Sequence, residues 1–289
     1  MLNLKINQKL SVNSLPGFNF LSKEINKRRQ KSYSDEQLWH FYESQRLTIE
    51  SINEVASLLR PGVSEFDAAK MLDSLLQKKG VKHFLHYSFA WFGERSSFNK
   101  MTTYDDTLPR RDIVLGEDDC FILDTAPYVN GVPSDVGLGF CHKNNIAYEN
   151  INKQLRELKA LIPGLFNGEL NAEEIYTHIS REIKRRNLKN VHELYPFGVL
   201  AHRLHPSKLS KLPSFMKPFS WQAYADIISR GFLEETIRGE NIHSLNGVWA
   251  IEPHISDGIN GTKFEKILVV RDGDAFWLDE YFSKKGSNR

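Results

Sequence analysis

Leu38, Phe41, Tyr42, Ile49, Ile52, Val55 and Leu59 recur at three- and four-residue spacing, the stripe of a helix with one buried face. Ser34-Asp35-Glu36-Gln37 has the form of a capping box at its start, and Arg60-Pro61-Gly62 stops it. A second box, Ser64-Glu65-Phe66-Asp67, opens a helix that runs through Leu72, Leu75 and Leu76 to Gly80. From His83 to Phe140 the pattern changes to aromatic and β-branched runs broken by Gly, Pro and Asn, which predicts strands and hairpins. Helical spacing returns over 147–162 and 171–187, the latter capped by Asn171 with Glu173 and Glu174 in its first turn. A further helical stretch covers 220–238, and a strand pair from Val248 to Val270 ends the pattern. Helices followed by strands occur twice. The order predicts an α+β fold of two similar halves, each a helix layer over antiparallel strands, within one domain over 34–289. Residues 1–33 are polar and aperiodic and read as an extension.

Composition narrows the function without naming it. Of 289 residues, 40% are apolar and 26% charged, which excludes a disordered chain. A net charge of +2 leaves no broad basic field for nucleic acid, and the one dense basic run, Lys27 to Lys31, reads as a solvated linker. Met1 to Phe20 lacks the unbroken apolar stretch of a signal peptide or membrane span, so no membrane partner and a cytoplasmic location are expected. Two cysteines, Cys120 and Cys141, without C-x-x-C spacing suggest neither a disulfide framework nor a zinc knot. A reducing compartment is the expectation, with Cys120 a packed core thiol.

The chemistry begins at Asn130-Gly131, a strong hairpin signal between two apolar runs. With that turn, Asp135 lies opposite Ala126 and Asp124 opposite Gly137, which makes Asp124 and Asp135 diagonal neighbours on one face, about 5.5–8 Å apart at Cβ. Exposed aspartates flanking a turn would give the same spacing, and Pro127 and Pro133 add a bulge or an edge. The second hairpin tips the balance. A loop centred on Gly258 and Ile259 sets Glu252 directly across from Glu265. Four carboxylates on strands otherwise rich in Ile, Leu and Val repel one another unless cations share the site, and hard oxygen donors suit Mn²⁺, Fe²⁺, Co²⁺ or Zn²⁺.

Asp124, then Asp135 eleven residues on, a His at 202, Glu252-Pro253, and Glu265 opening the last apolar strand resemble the metal ligands of the pita-bread metallopeptidases. That family includes methionine aminopeptidases, Xaa-Pro aminopeptidases, prolidases and the non-metal creatinases. The resemblance covers roughly residues 35–283, and Arg60 to Glu65 is similar to the family's helix-to-helix turn. It implies the pita-bread fold and two divalent ions. Asp124 would chelate one ion, Asp135 and Glu265 would bridge both, and His202 with Glu252 would hold the other. The implied reaction is hydrolysis of an amide or peptide bond near the N-terminus of a small peptide. Hydroxide shared by the ions would be the nucleophile, and Glu252 would carry the proton.

His254, His205 and Asp106 are candidate substrate contacts. His254 follows Glu252 at the same strand parity, which would set it against a metal ligand or the substrate, and a solvent-facing His is the plainer reading. Asp106-Thr107-Leu108-Pro109 stands where methionine aminopeptidases have His-Gly-Ile-Pro, and the stretch 204–219 departs from the family's Gly-x-x-x-His pattern. These departures leave open a pita-bread enzyme for a non-peptide small metabolite, or a binding protein that kept the fold. A homodimer is compatible with either.

Overall fold

The computed structural model of the chain describes residues 24, 27, 31–195, 198–206, 236–238 and 244–286. The helical stripes of the sequence fold as helices. The first, α1 (Asp35–Leu58), begins at Ser34, whose Oγ accepts from the Gln37 N–H while the Gln37 side chain accepts from the Ser34 N–H. α2 (Glu65–Lys78) is capped by Ser64, and α3 (Ile146–Leu165) and α4 (Ala172–Arg185) by Asn145 and Asn171. Each cap satisfies an amide that the helix itself leaves unpaired. Of the helix expected over 220–238, residues 220–235 lie outside the described residues, and Thr236–Ile237 form a short strand. The extension at 1–33 lies almost wholly outside them as well.

The strands form two main antiparallel sheets. In the first, β2 (Cys120–Val129) is central, with β1 (His83–Phe92) on one side and β3 (Val132–Pro133) and β4 (Val136–Cys141) on the other. Asn130 and Gly131 turn the chain at φ of 52° and 83°, the left-handed pair that a two-residue hairpin needs. The expected register holds on both sides of a break at Ser134 and Asp135: Val129 pairs with Val132, and Asp124 with Gly137. The other main sheet has the order β12 (Asp274–Trp277), β11 (Lys266–Arg271), β8 (Gly247–Ile251), β6 (Ala201–Arg203) and β7 (Thr236–Ile237). A small sheet of β10 (Gly261–Lys263), β9 (His254–Ser256) and β5 (Lys189–Asn190) continues the second hairpin. A last helix, α5 (Leu278–Gly286), follows β12.

Each half buries a helix pair against its sheet. Ile52, Val55, Leu72 and Leu76 pack with Phe121, Leu123 and Val136; Leu158, Ile162, Ile175 and Ile179 pack with Trp249, Ile251 and Leu268. The halves meet where Leu138 bridges Phe264 and the Glu265 N–H donates to the Gly137 carbonyl at 2.7 Å. That junction lies beside the carboxylates of Asp124, Asp135, Glu252 and Glu265. No helix among the described residues is long and apolar enough to cross a membrane.

One expectation is corrected by this register. Cys120 and Cys141 stand opposite each other on β2 and β4, with Cα atoms 4.1 Å apart, and are joined in a disulfide. The pairing follows from the Asn130-Gly131 turn, which aligns the two positions although 21 residues separate them. The cysteine count therefore no longer argues for a reducing compartment.

Candidate metal centre

The five expected ligands come from strands and from the breaks between them and lie together at the junction, with Glu252 outside the two three-donor groups that form there. Asp124 is held by β2, Asp135 by the break between β3 and β4, and His202 by β6. Glu252 and Glu265 sit where the second hairpin passes from one sheet to the next, bracketed by the pairs Ile251 with Lys266 and His254 with Lys263. Their amides bond across the junction, Glu252 to the Leu200 carbonyl at 2.8 Å and Glu265 to Gly137. The carboxylates of Asp124, Asp135, Glu252 and Glu265 are all buried.

Asp135 is the hub. Its Oδ2 lies 3.2 Å from His202 Nε2, which is 3.7 Å from Glu265 Oε1. Its Oδ1 lies 3.2 Å from Nε2 of His86, which is 3.7 Å from Asp124 Oδ1. Two three-donor groups, His86/Asp124/Asp135 and Asp135/His202/Glu265, therefore share one carboxylate through its two oxygens. Both have spacing suited to a divalent ion, and Asp124 Oδ1 is buried without a hydrogen-bond partner. The donor set, oxygen with imidazole, fits a first-row divalent metal.

Sequence reasoning missed two residues here. Lys263 is 1% exposed at its side chain and sets its Nζ among three carboxylates: Asp124 Oδ2 at 2.5 Å, Glu265 Oε2 at 2.8 Å and Glu252 Oε2 at 3.3 Å. It also lies 5.3 Å from the centre of the Tyr195 ring. Gly137 makes the room, because a Cβ there would fall 2.6 Å from Lys263 Cε and 2.7 Å from Asp124 Oδ2. A signal was present: Lys263 precedes Glu265 by two residues, so strand parity puts both on one face. His86 gave no such signal. The β1–β2 register shifts on both sides of it, between Phe84 and His86 and again between His86 and Phe89, and such irregularities re-aim a side chain in ways that regular alternation does not foretell.

Charge and burial set the protonation of the cluster. Burial pushes Asp124 up to about 6, against the pull of Lys263. Burial would raise Asp135 too, but the His86 and His202 imidazoles facing its two oxygens outweigh it and hold that carboxyl well below the usual range. Burial, then the neighbouring Glu265 carboxylate, raises Glu252 well above an ordinary glutamate. Lys263 is raised despite burial by Asp124 and Glu265, so its ammonium persists.

The three proposed substrate contacts lie elsewhere. His254 is fully buried, neither solvent-facing nor open to a ligand at its ring nitrogens. Its Nε2–H donates to the Ser96 carbonyl at 2.6 Å, and its Nδ1 accepts from the Tyr195 hydroxyl at 2.8 Å. Burial, with Lys263 nearby, keeps it neutral. His205 Nδ1 lies 3.3 Å from the Tyr33 hydroxyl. Asp106 Oδ2 accepts from the amides of Thr102 and Thr103, both at 2.8 Å, and so caps its own turn. Among the described residues none of the three touches a carboxylate of the cluster.

A family comparison gives this geometry its context. The pattern of metallopeptidase family M24 matches residues 40–272. The chain belongs to that family. Its two-half α+β architecture is the M24 pita-bread fold. No curated protein matches it. Similar solved structures include the X-Pro aminopeptidase of Thermotoga maritima, at 13% identity and a TM-score of 0.64, covering 89% of this chain and 64% of that one. The prolidase of Pyrococcus furiosus follows at 15% and 0.64, covering 89% and 67%. The methionine aminopeptidase of Thermotoga maritima stands at 13% and 0.59, covering 86% and 98%. This M24 chain thus spans less than two thirds of the X-Pro aminopeptidase and almost the whole of the methionine aminopeptidase.

Proposed function

We propose that this M24 chain is a metal-dependent hydrolase that opens an amide or peptide bond near the N-terminus of a small peptide. The observation that carries the reading is the convergence of Asp124, Asp135, His202, Glu252 and Glu265, from strands and the breaks between them, on one buried junction. In the family's pattern these residues hold two divalent ions, drawn from Mn²⁺, Fe²⁺, Co²⁺ or Zn²⁺. A divalent ion at such a site lowers the pKa of a water and polarises the bond to be cut. Glu252 supplies the proton traffic: its carboxylate, made a stronger base by burial and by Glu265, takes the proton that the attacking water gives up as its oxygen bonds to the carbonyl carbon, and passes it to the amine as the C–N bond breaks. Lys263 holds that carboxylate in place from the buried side.

Glu252→Gln keeps the side-chain volume and removes the charge. The expected result is a loss of turnover of about 10²–10⁴-fold with an unchanged circular dichroism spectrum. Turnover at the wild-type rate would remove Glu252 from the mechanism.

A second reading, hydrolysis of a non-peptide metabolite, is favoured by one observation. The segment that bears an imidazole in methionine aminopeptidases carries Asp106, and its Oδ2 is occupied with its own turn. That part of the substrate wall has been rebuilt.

A further inference from the structure

We infer that His86 is a metal ligand, completing with Asp124 Oδ1 and Asp135 Oδ1 a mixed imidazole and carboxylate position at the first ion; this rests on the metallohydrolase reading and deepens it. The hydrogen-bond pattern carries the argument. His86 Nδ1 lies 2.9 Å from the Tyr87 carbonyl, which can only accept, so Nδ1 carries the hydrogen. In the neutral ring Nε2 is then a lone pair. It faces Asp135 Oδ1 at 3.2 Å and Asp124 Oδ1 at 3.7 Å, two more acceptors. With the ring neutral, three acceptors converge at ligand spacing, and Asp124 Oδ1 has no hydrogen-bond partner although it is buried. A cation between them resolves the conflict, and an imidazole tethered through its other nitrogen to a backbone carbonyl is the usual posture of a metal-bound His.

Lys263 explains why a further donor is needed. Its ammonium engages Asp124 Oδ2 and Glu265 Oε2, the oxygens that a chelating aspartate and a bridging glutamate would otherwise turn toward the first ion. His86 replaces what Lys263 withdraws. The register shifts on either side of it in β1 turn the ring toward the hub carboxylate, where it packs against Phe89 with ring centres 5.3 Å apart.

The rival account is a protonated imidazole that merely pairs with Asp135, and two measurements separate them. X-ray absorption of the wild-type protein loaded with Co²⁺ or Zn²⁺ is expected to give about one imidazole per ion, from His86 and His202; about one imidazole per two ions would overturn the proposal. Titration of His86→Ala with Co²⁺ is expected to leave one ion at wild-type affinity and to weaken the other by more than about 100-fold, beyond what an outer contact costs. Uptake of both ions by this variant with unchanged affinity would overturn it equally. A wild-type protein that binds no ion in the same titration contradicts the metallohydrolase reading itself, a result distinct from either of these.

Discussion

Asp135→Asn is expected to weaken both ion positions at once, each by more than the roughly 100-fold that loss of an outer contact costs, because Asp135 alone gives an oxygen to each three-donor group. Asparagine keeps the shape but replaces one of the two oxygens with a hydrogen-bond donor that repels a cation. Asp124→Asn, by contrast, is expected to weaken one position, since Asp124 belongs to the His86 group only. Titration of the metal-free proteins with Co²⁺ or Mn²⁺ reads the difference directly. Equal effects of the two variants would deny Asp135 its hub role.

Lys263→Met carries the other large effect. Among the described residues its ammonium is the one lysine charge set among these carboxylates, and removing it leaves Asp124, Glu252 and Glu265 facing one another out of water. Breaking a buried ionic cluster in this way costs about 3–5 kcal/mol. The metal-free variant should therefore melt roughly 6–20 °C below the wild type. Divalent ions should restore much of the loss, because they supply the missing positive charge. Thermal melts with and without a chelator test both halves. A variant as stable as the wild type in chelator would show that the carboxylates are neutralised by protons, with Lys263 incidental.

Much of this was legible in the sequence because local rules and the global fold agree. The capping box at Ser34 and the cap residues Ser64 and Asn171 marked where helices begin, and the side chains that accept the first free amides do so as expected. Asn130-Gly131 set one register and the Gly258 loop the other, and those registers alone bring four carboxylates together in two pairs. The same register also sets Cys120 opposite Cys141, and the two-residue spacing sets Lys263 on the side of Glu265, relations the sequence held although a packed thiol was expected at Cys120 and no lysine at the cluster. His86 differs in kind. Its position depends on two irregularities in β1 pairing, and no period-two count reports them. His254 was misjudged for a related reason: strand parity gave its side but not the covering elements, and Ser96 and Tyr195 close over it.

The central claim is hydrolysis that depends on divalent metal. Its most direct test is to load the purified chain with Mn²⁺, Fe²⁺, Co²⁺ or Zn²⁺ in turn and to follow amine release from peptide, dipeptide and non-peptide amide libraries, with chelator-treated protein as the control. The account predicts release in at least one library that a chelator stops and added metal restores, and that Glu252→Gln lacks. Fully loaded protein that cleaves no member of any library, or cleavage that survives the chelator unchanged, would contradict it.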